Sequence, residues 1–165
     1  MPADLSAFVG RQAELAEVSL LLTAANGTGG AMIVTVDGMP GVGKTTLAVH
    51  AAHRFAGHFP DGQLYVNLRG FDPDGRALDP ADALAGLLQA LGLPTPQLPA
   101  GLDERAALYR SVLTRRRVLV VLDNARDAVQ VRPLLPGSAT CLAIVTSRDR
   151  LTGLTVRHGA HPLRL

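Results

Sequence analysis

The chain of 165 residues has no tryptophan and one cysteine, Cys141, and its aromatic residues make up 4% of the sequence. One cysteine excludes a disulfide within the chain and any metal site built from several thiolates. The longest apolar run, residues 118–122, is far shorter than the ~18 residues that a membrane span requires. The amino terminus also lacks the charged and apolar segments of an export signal. These absences favour a cytoplasmic protein without membrane contacts.

The chain also has no large excess of either sign of charge, because the formal net charge is only +2. Charge therefore gives no indication of a nucleic-acid partner. Hydrophobic residues make up 47% and charged residues 18%, which is typical of one folded domain at this length. Lysine is nearly absent, since fifteen arginines accompany a single lysine, Lys44. That lysine requires a specific explanation.

Short apolar segments alternate along the chain with segments of helical periodicity. The predicted strands are residues 31–37, 63–68, 118–122, 141–146 and 162–165. The predicted helices are residues 11–25, 44–56, 80–91, 102–114 and 128–135, with loops at 26–30 and 93–101. The wholly apolar run 118–122 is typical of a central parallel strand covered on both faces. The alternation predicts an α/β fold of three layers, with a mostly parallel sheet of about five strands flanked by helices.

A glycine-rich segment, residues 38–45, reads Gly-Met-Pro-Gly-Val-Gly-Lys-Thr and fits the phosphate-binding pattern G-x-x-x-x-G-K-[ST]. It lies between a predicted strand and a predicted helix, where backbone N–H groups and the helix dipole attract phosphate. A plain glycine turn would not require Lys44. The segment predicts a P-loop protein that binds a nucleotide with Mg²⁺, through Gly38, Pro40, Gly41, Val42, Gly43, Lys44, Thr45 and Thr46.

Three residues of this segment have separate expected roles. We expect Lys44 to reach the β and γ phosphates and Thr45 to offer its hydroxyl to Mg²⁺. Thr46 is placed to reach the α phosphate.

The apolar strand 118–122 is followed by a carboxylate, Asp123. We expect Asp123 to hold Mg²⁺ through its water shell, beside Thr45. Many fast P-loop ATPases place a second carboxylate directly afterwards, to orient or deprotonate the attacking water, but here the next residue is Asn124. The nearest spare carboxylate, Asp127, is better explained as the cap of the following helix. The sequence therefore predicts slow hydrolysis.

Other polar residues give weaker signals. Thr146, Ser147 and Arg148 lie at the end of the next strand, where a γ phosphate would be sensed, although a surface arginine before a helix explains Arg148 more simply. The three histidines His50, His53 and His58 lack a carboxylate or thiol to complete a metal site, so we place them on a helix surface. We expect residues 115–117, all arginine, to complement a helix carboxyl end, and Cys141 to lie in the core.

Four segments, taken in order, resemble the NB-ARC nucleotide-binding domain of STAND ATPases. They are Phe8-Val9-Gly10-Arg11 with Glu14 and Leu15, GMPGVGKTT at 38–46, RRRVLVVLDNARDA at 115–128 and LAIVTSRDRLTGL at 142–154. Within that class, residues 102–113 and 122–137 look most like actinobacterial regulators of the AfsR/SARP type. The resemblance covers nearly the whole chain.

The resemblance implies that Val9 and Gly10 lie near the adenine, that Arg11 lies beside the nucleotide and that Arg148 senses the γ phosphate. Lys44, Asp123 and Arg148 would then carry any catalysis. ATP or ADP would set the conformation of a larger signalling or transcriptional regulator, as in control of antibiotic biosynthesis. Residues 1–165 would be the NB-ARC core, without the family's helical, winged-helix, DNA-binding and TPR parts. The expected partners are the other domains of that regulator, self-association stays open, and no nucleic-acid contact is expected from this segment.

Three alternatives to a switch domain stay open. A small-molecule kinase also needs the loop and Mg²⁺, but would require an acceptor pocket and usually a mobile lid. A scaffold would keep its nucleotide as a structural part without turnover. DNA binding would depend on the arginines at 115–117.

Overall fold

The computed structural model describes residues 1–4, 9–24 and 29–165. Within these ranges the strands are β1 (Met32–Asp37), β2 (Gly62–Asn67), β3 (Val118–Ala125), β4 (Leu142–Ser147) and β5 (His161–Arg164). The helices are α1 (Gln12–Ala24), α2 (Lys44–Arg54), α3 (Pro80–Ala90), α4 (Leu102–Leu113), α5 (Ala128–Val131) and α6 (Thr152–His158). Short 3₁₀ turns at Ala56–His58, Thr95–Gln97 and Arg132–Leu134 complete the pattern.

The strands form one parallel sheet in the order β2-β3-β4-β1-β5. β1 leads into the glycine-rich loop, and β3 carries Asp123. These two strands are therefore separated by β4. The register aligns Asp37 of β1 with Ser147 of β4, and Asn67 of β2 with Asp123 of β3. Because all strands run the same way, their carboxyl ends meet at one edge of the sheet, which is where ligands bind in open α/β sheets.

Side chains alternate along each buried strand between the two faces of the sheet. Val118, Val120 and Leu122 pack into a core with α3, α4, α5 and α6. Leu119 and Val121 face the other way, into a core with α1 and α2. Helices therefore cover both faces, which confirms the predicted three-layer α/β fold and explains why strand 118–122 is apolar at every position.

The structure refines several predicted elements. β3 continues two residues beyond Asp123 to Ala125, and the predicted helix 128–135 is one turn of α5 followed by a 3₁₀ turn. The helix α6 had no predicted bounds because its seven residues, with a glycine and two threonines, give little periodicity. Phe8 and the loop residues 26–28 lie outside the described residues. Of the helices described, none is both long and apolar enough to cross a membrane.

Candidate nucleotide-binding site

The glycine-rich segment forms the connection between β1 and α2, as the spacing of its residues requires. α2 begins at Lys44, and its cap residue Gly43 adopts a left-handed conformation with φ of 94°. A β-carbon would strain that conformation, whereas glycine allows the chain to turn directly into the helix. The first N–H groups of α2 therefore open onto the loop, and the positive end of its dipole faces any anion held there.

The ammonium group of Lys44 lies inside the curve of this loop. Its Nζ donates to the carbonyl oxygens of Gly38 and Met39, each at 2.8 Å. An ammonium group has three N–H donors, so one remains for a ligand. Burial lowers the pKa of Lys44 first, and the nearby Arg148 guanidinium lowers it further, while the carboxylates Asp123 and Asp37 act in the opposite sense. Lys44 and Arg148 therefore lie close enough to interact. A ligand with several negative charges would be attracted to both cations.

The carboxylate of Asp123 accepts hydrogen bonds from three hydroxyl groups. Thr45 Oγ1 donates to Oδ1 at 2.8 Å, and Thr146 Oγ1 donates to the same oxygen at 2.6 Å. Tyr65 Oη donates to the other oxygen, Oδ2, at 2.9 Å. Asp123 is buried with 3% exposure, so these donors offset the loss of water that burial imposes on a charged group. The arrangement joins the phosphate loop to β2, β3 and β4.

A bulge in β3 lies directly after Asp123. Between Leu122 and Ala125 the register with β4 shifts, and Asn124 adopts a left-handed φ of 57°. The backbone N–H of Asn124 donates to Thr146 Oγ1 at 2.9 Å. A bulge re-aims the side chains around it, and asparagine tolerates the left-handed region better than most residues. Asn124 consequently lines the cleft at the carboxyl edge of the sheet.

This cleft has a volume of about 430 Å³. Its lining comes from the loop, from the start of α2 and from the carboxyl ends of β2, β3 and β4, and consists of Pro40, Gly41, Gly43, Lys44, Thr45, Thr46, Asn67, Asp123, Asn124, Thr146, Ser147 and Arg148. Most residues predicted to bind the phosphates and Mg²⁺ are thus brought together. Gly38 and Val42 belong to the loop but do not line the cleft among the residues described.

Arg148 projects at the rim of the cleft from a backbone that Ser147 holds in place. Ser147 Oγ donates to the carbonyl oxygen of Ala125 at 2.7 Å and accepts from the N–H of Asp149 at 3.1 Å. Ser147 is buried, whereas Arg148 is exposed. Arg148 therefore has a fixed backbone and a side chain that can reach a ligand.

The amino-terminal candidates lie apart from the cleft lining. Arg11 donates from Nη2 to the carbonyl oxygen of Val42 at 3.3 Å and from Nη1 to Glu14 at 2.9 Å. Its guanidinium thus contacts the phosphate loop without lining the cleft in the described structure. Val9 is 88% exposed, and neither Val9 nor Gly10 lines the cleft in the described structure. Their expected contact with adenine stays a prediction.

The chemistry of the donor set suits Mg²⁺, which prefers oxygen ligands and retains several waters. The Thr45 hydroxyl and the Asp123 carboxylate provide such oxygens next to the loop, 2.8 Å from each other. These two residues would hold the ion, and its charge would neutralise phosphate oxygens when bound.

Two residues of this site were missed by the sequence analysis, Tyr65 and Asn67. Both lie on β2, and the β2–β3 register places Asn67 opposite Asp123. Tyr65 precedes Asn67 by two residues, so both side chains project from the same face of the strand. The sequence signal for both residues was that they lie at the end of a predicted strand. Using it requires knowing that β2 and β3 are neighbours in the sheet.

The weaker sequence signals also have structural explanations. Asp127 caps α5 by accepting the N–H of Gln130 at 2.8 Å, and Cys141 is buried, as predicted for both. His50 and His53 of α2 contact Asp4 Oδ1 and the carbonyl oxygen of Pro2 at 3.0 and 2.8 Å. No group of three potential metal ligands occurs in the part of the chain that the structure describes.

Taken together, the parallel sheet, the loop between β1 and α2 and the carboxylate of β3 define a P-loop domain of the three-layer α/β class. The family described as an AAA domain matches residues 25–154. The chain therefore belongs to the AAA domain family.

Bacterial regulatory proteins are among the relatives of this chain. The chain is 54% identical over 165 residues to the regulatory protein AfsR of Streptomyces coelicolor, covering 98% of this chain and 16% of that protein. It is 52% identical over 161 residues to AfsR of Streptomyces griseus, with the same coverage. The chain thus spans about one sixth of the length of these relatives. Among solved structures, the Aeropyrum pernix ORC2 protein in its ADPNP-ADP complexes aligns with a TM-score of 0.58 and 19% identity, over 100% of this chain and 49% of that one. That likeness supports the fold.

Proposed function

We propose that this chain is a nucleotide-binding switch domain that holds ATP or ADP with Mg²⁺, hydrolyses ATP slowly and controls a larger regulator. The contact between Thr45 and Asp123 carries the proposal, because it joins residues 78 positions apart into one oxygen pair beside the phosphate loop. An ion bound to nucleotide phosphates would use both.

In this proposal, different polar groups of the cleft contact different phosphates of the nucleotide. The first turn of α2 would face the β phosphate, and the remaining N–H donor of Lys44 would reach the β and γ phosphates. Thr46, next along α2, would contact the α phosphate. Arg148 also lines the cleft and would contact the γ phosphate of ATP. ADP lacks that phosphate, so Arg148 would supply the differential contact that a two-state switch requires.

Slow hydrolysis follows from the groups around the expected position of the attacking water. Among the described lining residues the one carboxylate is Asp123, and both its oxygens already accept hydrogen bonds. The neighbouring polar side chains are the amides of Asn67 and Asn124. An amide orients water but does not remove its proton at neutral pH. Bound ATP would therefore persist long enough for its presence to act as a signal.

The wider context comes from the relatives. Two of them are regulatory proteins of which this chain matches about one sixth. We propose that residues 1–165 are the NB-ARC core of such a transcriptional regulator and that its neighbouring domains, or a second copy, respond to the bound nucleotide. Val9, Gly10 and Arg11 would complete the adenine side of the pocket. ATP and Mg²⁺ are abundant in the cytoplasm, where we expect the protein to act.

Calorimetric titration of the 165-residue chain with ATP and ADP, with and without Mg²⁺, tests the proposal together with a phosphate-release assay. We expect micromolar binding of both nucleotides, Mg²⁺-dependent preference for ATP and release on the scale of minutes or slower. Lys44→Ala should abolish binding, whereas Arg110→Ala, which removes an exposed cation in the last turn of α4, should not. Equal binding by wild type and Lys44→Ala would contradict the proposed site. Transfer of phosphate to a small acceptor in place of water would instead indicate a kinase.

A further inference from the structure

The loop between β2 and α3 is hydrogen-bonded to the end of β3, where Asp123 and Asn124 line the cleft. The N–H of Leu68 donates to the carbonyl oxygen of Asp123 at 2.8 Å, and the N–H of Gly70 donates to that of Asn124 at 2.7 Å. These bonds continue the β2–β3 pairing past the end of β2. The first residues of the loop therefore have a fixed position relative to Asp123 and Asn124.

The packing of Gly70 fixes the loop further. A β-carbon at this position would collide with the backbone nitrogen of Arg126, so only glycine allows the two segments to approach so closely. At the far end of the loop, the N–H of Leu78 donates to the carbonyl oxygen of Leu68 at 2.9 Å. The buried Gln130 side chain donates to both the Leu68 and Leu78 carbonyl oxygens, also at 2.9 Å. The backbone that leads into Phe71 is consequently held in position by these contacts.

Phe71 contacts the candidate γ-phosphate sensor. The guanidinium carbon of Arg148 lies 5.0 Å from the centroid of the half-buried Phe71 ring, within the range of a cation–π interaction. No carboxylate of the described residues forms an ion pair with Arg148. This distinction matters chemically. A carboxylate would occupy the N–H donors of the guanidinium, whereas a ring face attracts the cation and leaves those donors for another acceptor.

We propose that Phe71 is a positioning residue that holds Arg148 at the rim of the cleft with its N–H donors free, and thereby sets the preference for ATP over ADP. The inference rests on the proposed function, which gives Arg148 its role toward the γ phosphate. Phe71 itself touches no phosphate. It reduces the freedom that the long arginine side chain must lose when it binds, so its effect should appear with ATP and be absent with ADP.

The test replaces Phe71 by leucine, which keeps an apolar side chain but removes the ring face. Affinities for ADP and for a non-hydrolysable ATP analogue are measured by calorimetry in the presence of Mg²⁺. We expect the ratio of the two affinities to fall about threefold, the size of an exposed cation–π contact, with ADP binding unchanged. The conservative variant Phe71→Tyr keeps the ring and should retain the wild-type ratio. A purely structural role would weaken both nucleotides alike.

A double-mutant cycle shows whether Phe71 acts through Arg148. In an Arg148→Ala background, Phe71→Leu should have no further effect on the affinity ratio. The same fall in both backgrounds would overturn the inference. An unchanged ratio of ATP-analogue to ADP affinity in Phe71→Leu would also overturn the inference. In that case, nucleotide binding by the wild type would still support the proposed function. A wild-type chain that binds neither nucleotide would remove both.

The absence of tryptophan from the chain provides an independent readout. Phe71→Trp places a single indole beside the Arg148 guanidinium. We expect its emission to change on adding the ATP analogue with Mg²⁺, to change much less with ADP, and to lose this difference in the Arg148→Ala background. Identical emission changes with both nucleotides would contradict the coupling between Phe71 and the γ phosphate.

Discussion

Tyr65 of β2 donates its phenolic hydrogen to Asp123 of β3 at 2.9 Å, on the carboxylate oxygen that neither threonine contacts. Burial and the nearby carboxylate both raise the pKa of Tyr65 above its usual value, so the phenol remains a donor through the physiological range. A donor on Oδ2 would keep the carboxylate oriented if Thr45 and Asp123 held an ion. Tyr65 therefore positions the expected Mg²⁺ ligand from a neighbouring strand.

Tyr65→Phe should raise the Mg²⁺ concentration for half-maximal ATP binding by about tenfold, because one hydrogen bond to a charged group is lost at a cost of ~1.5 kcal/mol. ATP binding without Mg²⁺ should be nearly unchanged. Mg²⁺ titrations at fixed ATP measure the effect.

A matched control removes a different tyrosine hydroxyl. The Tyr109 hydroxyl is buried and has no hydrogen-bond partner among the described residues. Tyr109→Phe should leave the Mg²⁺ dependence unaltered and maintain or raise the free energy of unfolding, since an unpaired buried polar group is removed. If ATP binding by the wild type, Tyr65→Phe and Tyr109→Phe had the same dependence on Mg²⁺ concentration, Tyr65 would not orient Asp123.

Asn124 occupies the position where a second carboxylate would activate water. Asn124→Asp should accelerate phosphate release at least about tenfold, because it introduces a general base on a bulge whose φ of 57° aspartate also tolerates. Single-turnover release from pre-bound ATP separates this step from binding. Asn67→Asp adds the same charge elsewhere in the cleft lining and is the control. A similar acceleration by both variants would attribute the effect to charge and not to a base at position 124.

The local sequence was sufficient to predict the parts of the site that a single segment builds. The loop before Lys44 and the apolar strand before Asp123 both follow from spacing and side-chain type, and the alternation of elements predicted the parallel sheet. Parallel topology also explains why these two segments meet at one edge.

The contacts between segments could not be predicted in this way. The bond from Tyr65 to Asp123 requires that β2 lies beside β3 in one register, and the bulge at Asn124 depends on Thr146, 22 residues further along the chain. The contact between Phe71 and Arg148 depends on the close approach of the loop at Gly70. Each arises from packing between distant segments, which a pattern of period 2 or 3.6 does not encode.

Gln130 is a buried polar residue with 2% exposure, and its side-chain amide makes three hydrogen bonds to backbone groups. Its amide donates to the carbonyl oxygens of Leu68 and Leu78 and accepts the N–H of Arg126. Gln130→Leu should lower the free energy of unfolding by about 2–4 kcal/mol, since the Arg126 N–H and the Leu78 carbonyl oxygen lose this partner and the Leu68 carbonyl oxygen keeps only its bond from the Leu78 N–H. Chemical denaturation measures the change. Gln89→Leu, at an exposed position of α3, should change stability by less than about 0.5 kcal/mol. A similar small loss in Gln130→Leu would indicate that water replaces the lost bonds.

Asp127 provides a pH-dependent contribution to stability. The backbone N–H of Gln130 holds the pKa of this carboxyl below its usual value, and the Arg126 guanidinium adds to the effect. A carboxyl whose pKa is lowered by folding stabilises the native state above its unfolded pKa and loses that contribution as the pH falls through the folded pKa. Asp127→Ala should therefore cost about 1 kcal/mol at pH 7, the usual value of a helix cap. The difference from wild type should shrink steadily as the pH is lowered below about 4.

Urea denaturation of wild type, Asp127→Ala and Asp127→Asn between pH 7 and pH 3 checks this sign. Asparagine also caps helices but does not titrate, so the stability difference between Asp127→Asn and Asp127→Ala should stay constant across the range. The wild type should resemble Asp127→Asn at pH 7 and move toward Asp127→Ala in acid, because a protonated carboxyl is a poorer acceptor for the Gln130 N–H. A wild-type advantage that persists undiminished at pH 3 would mean that side-chain packing, and not the ionised cap, stabilises the start of α5.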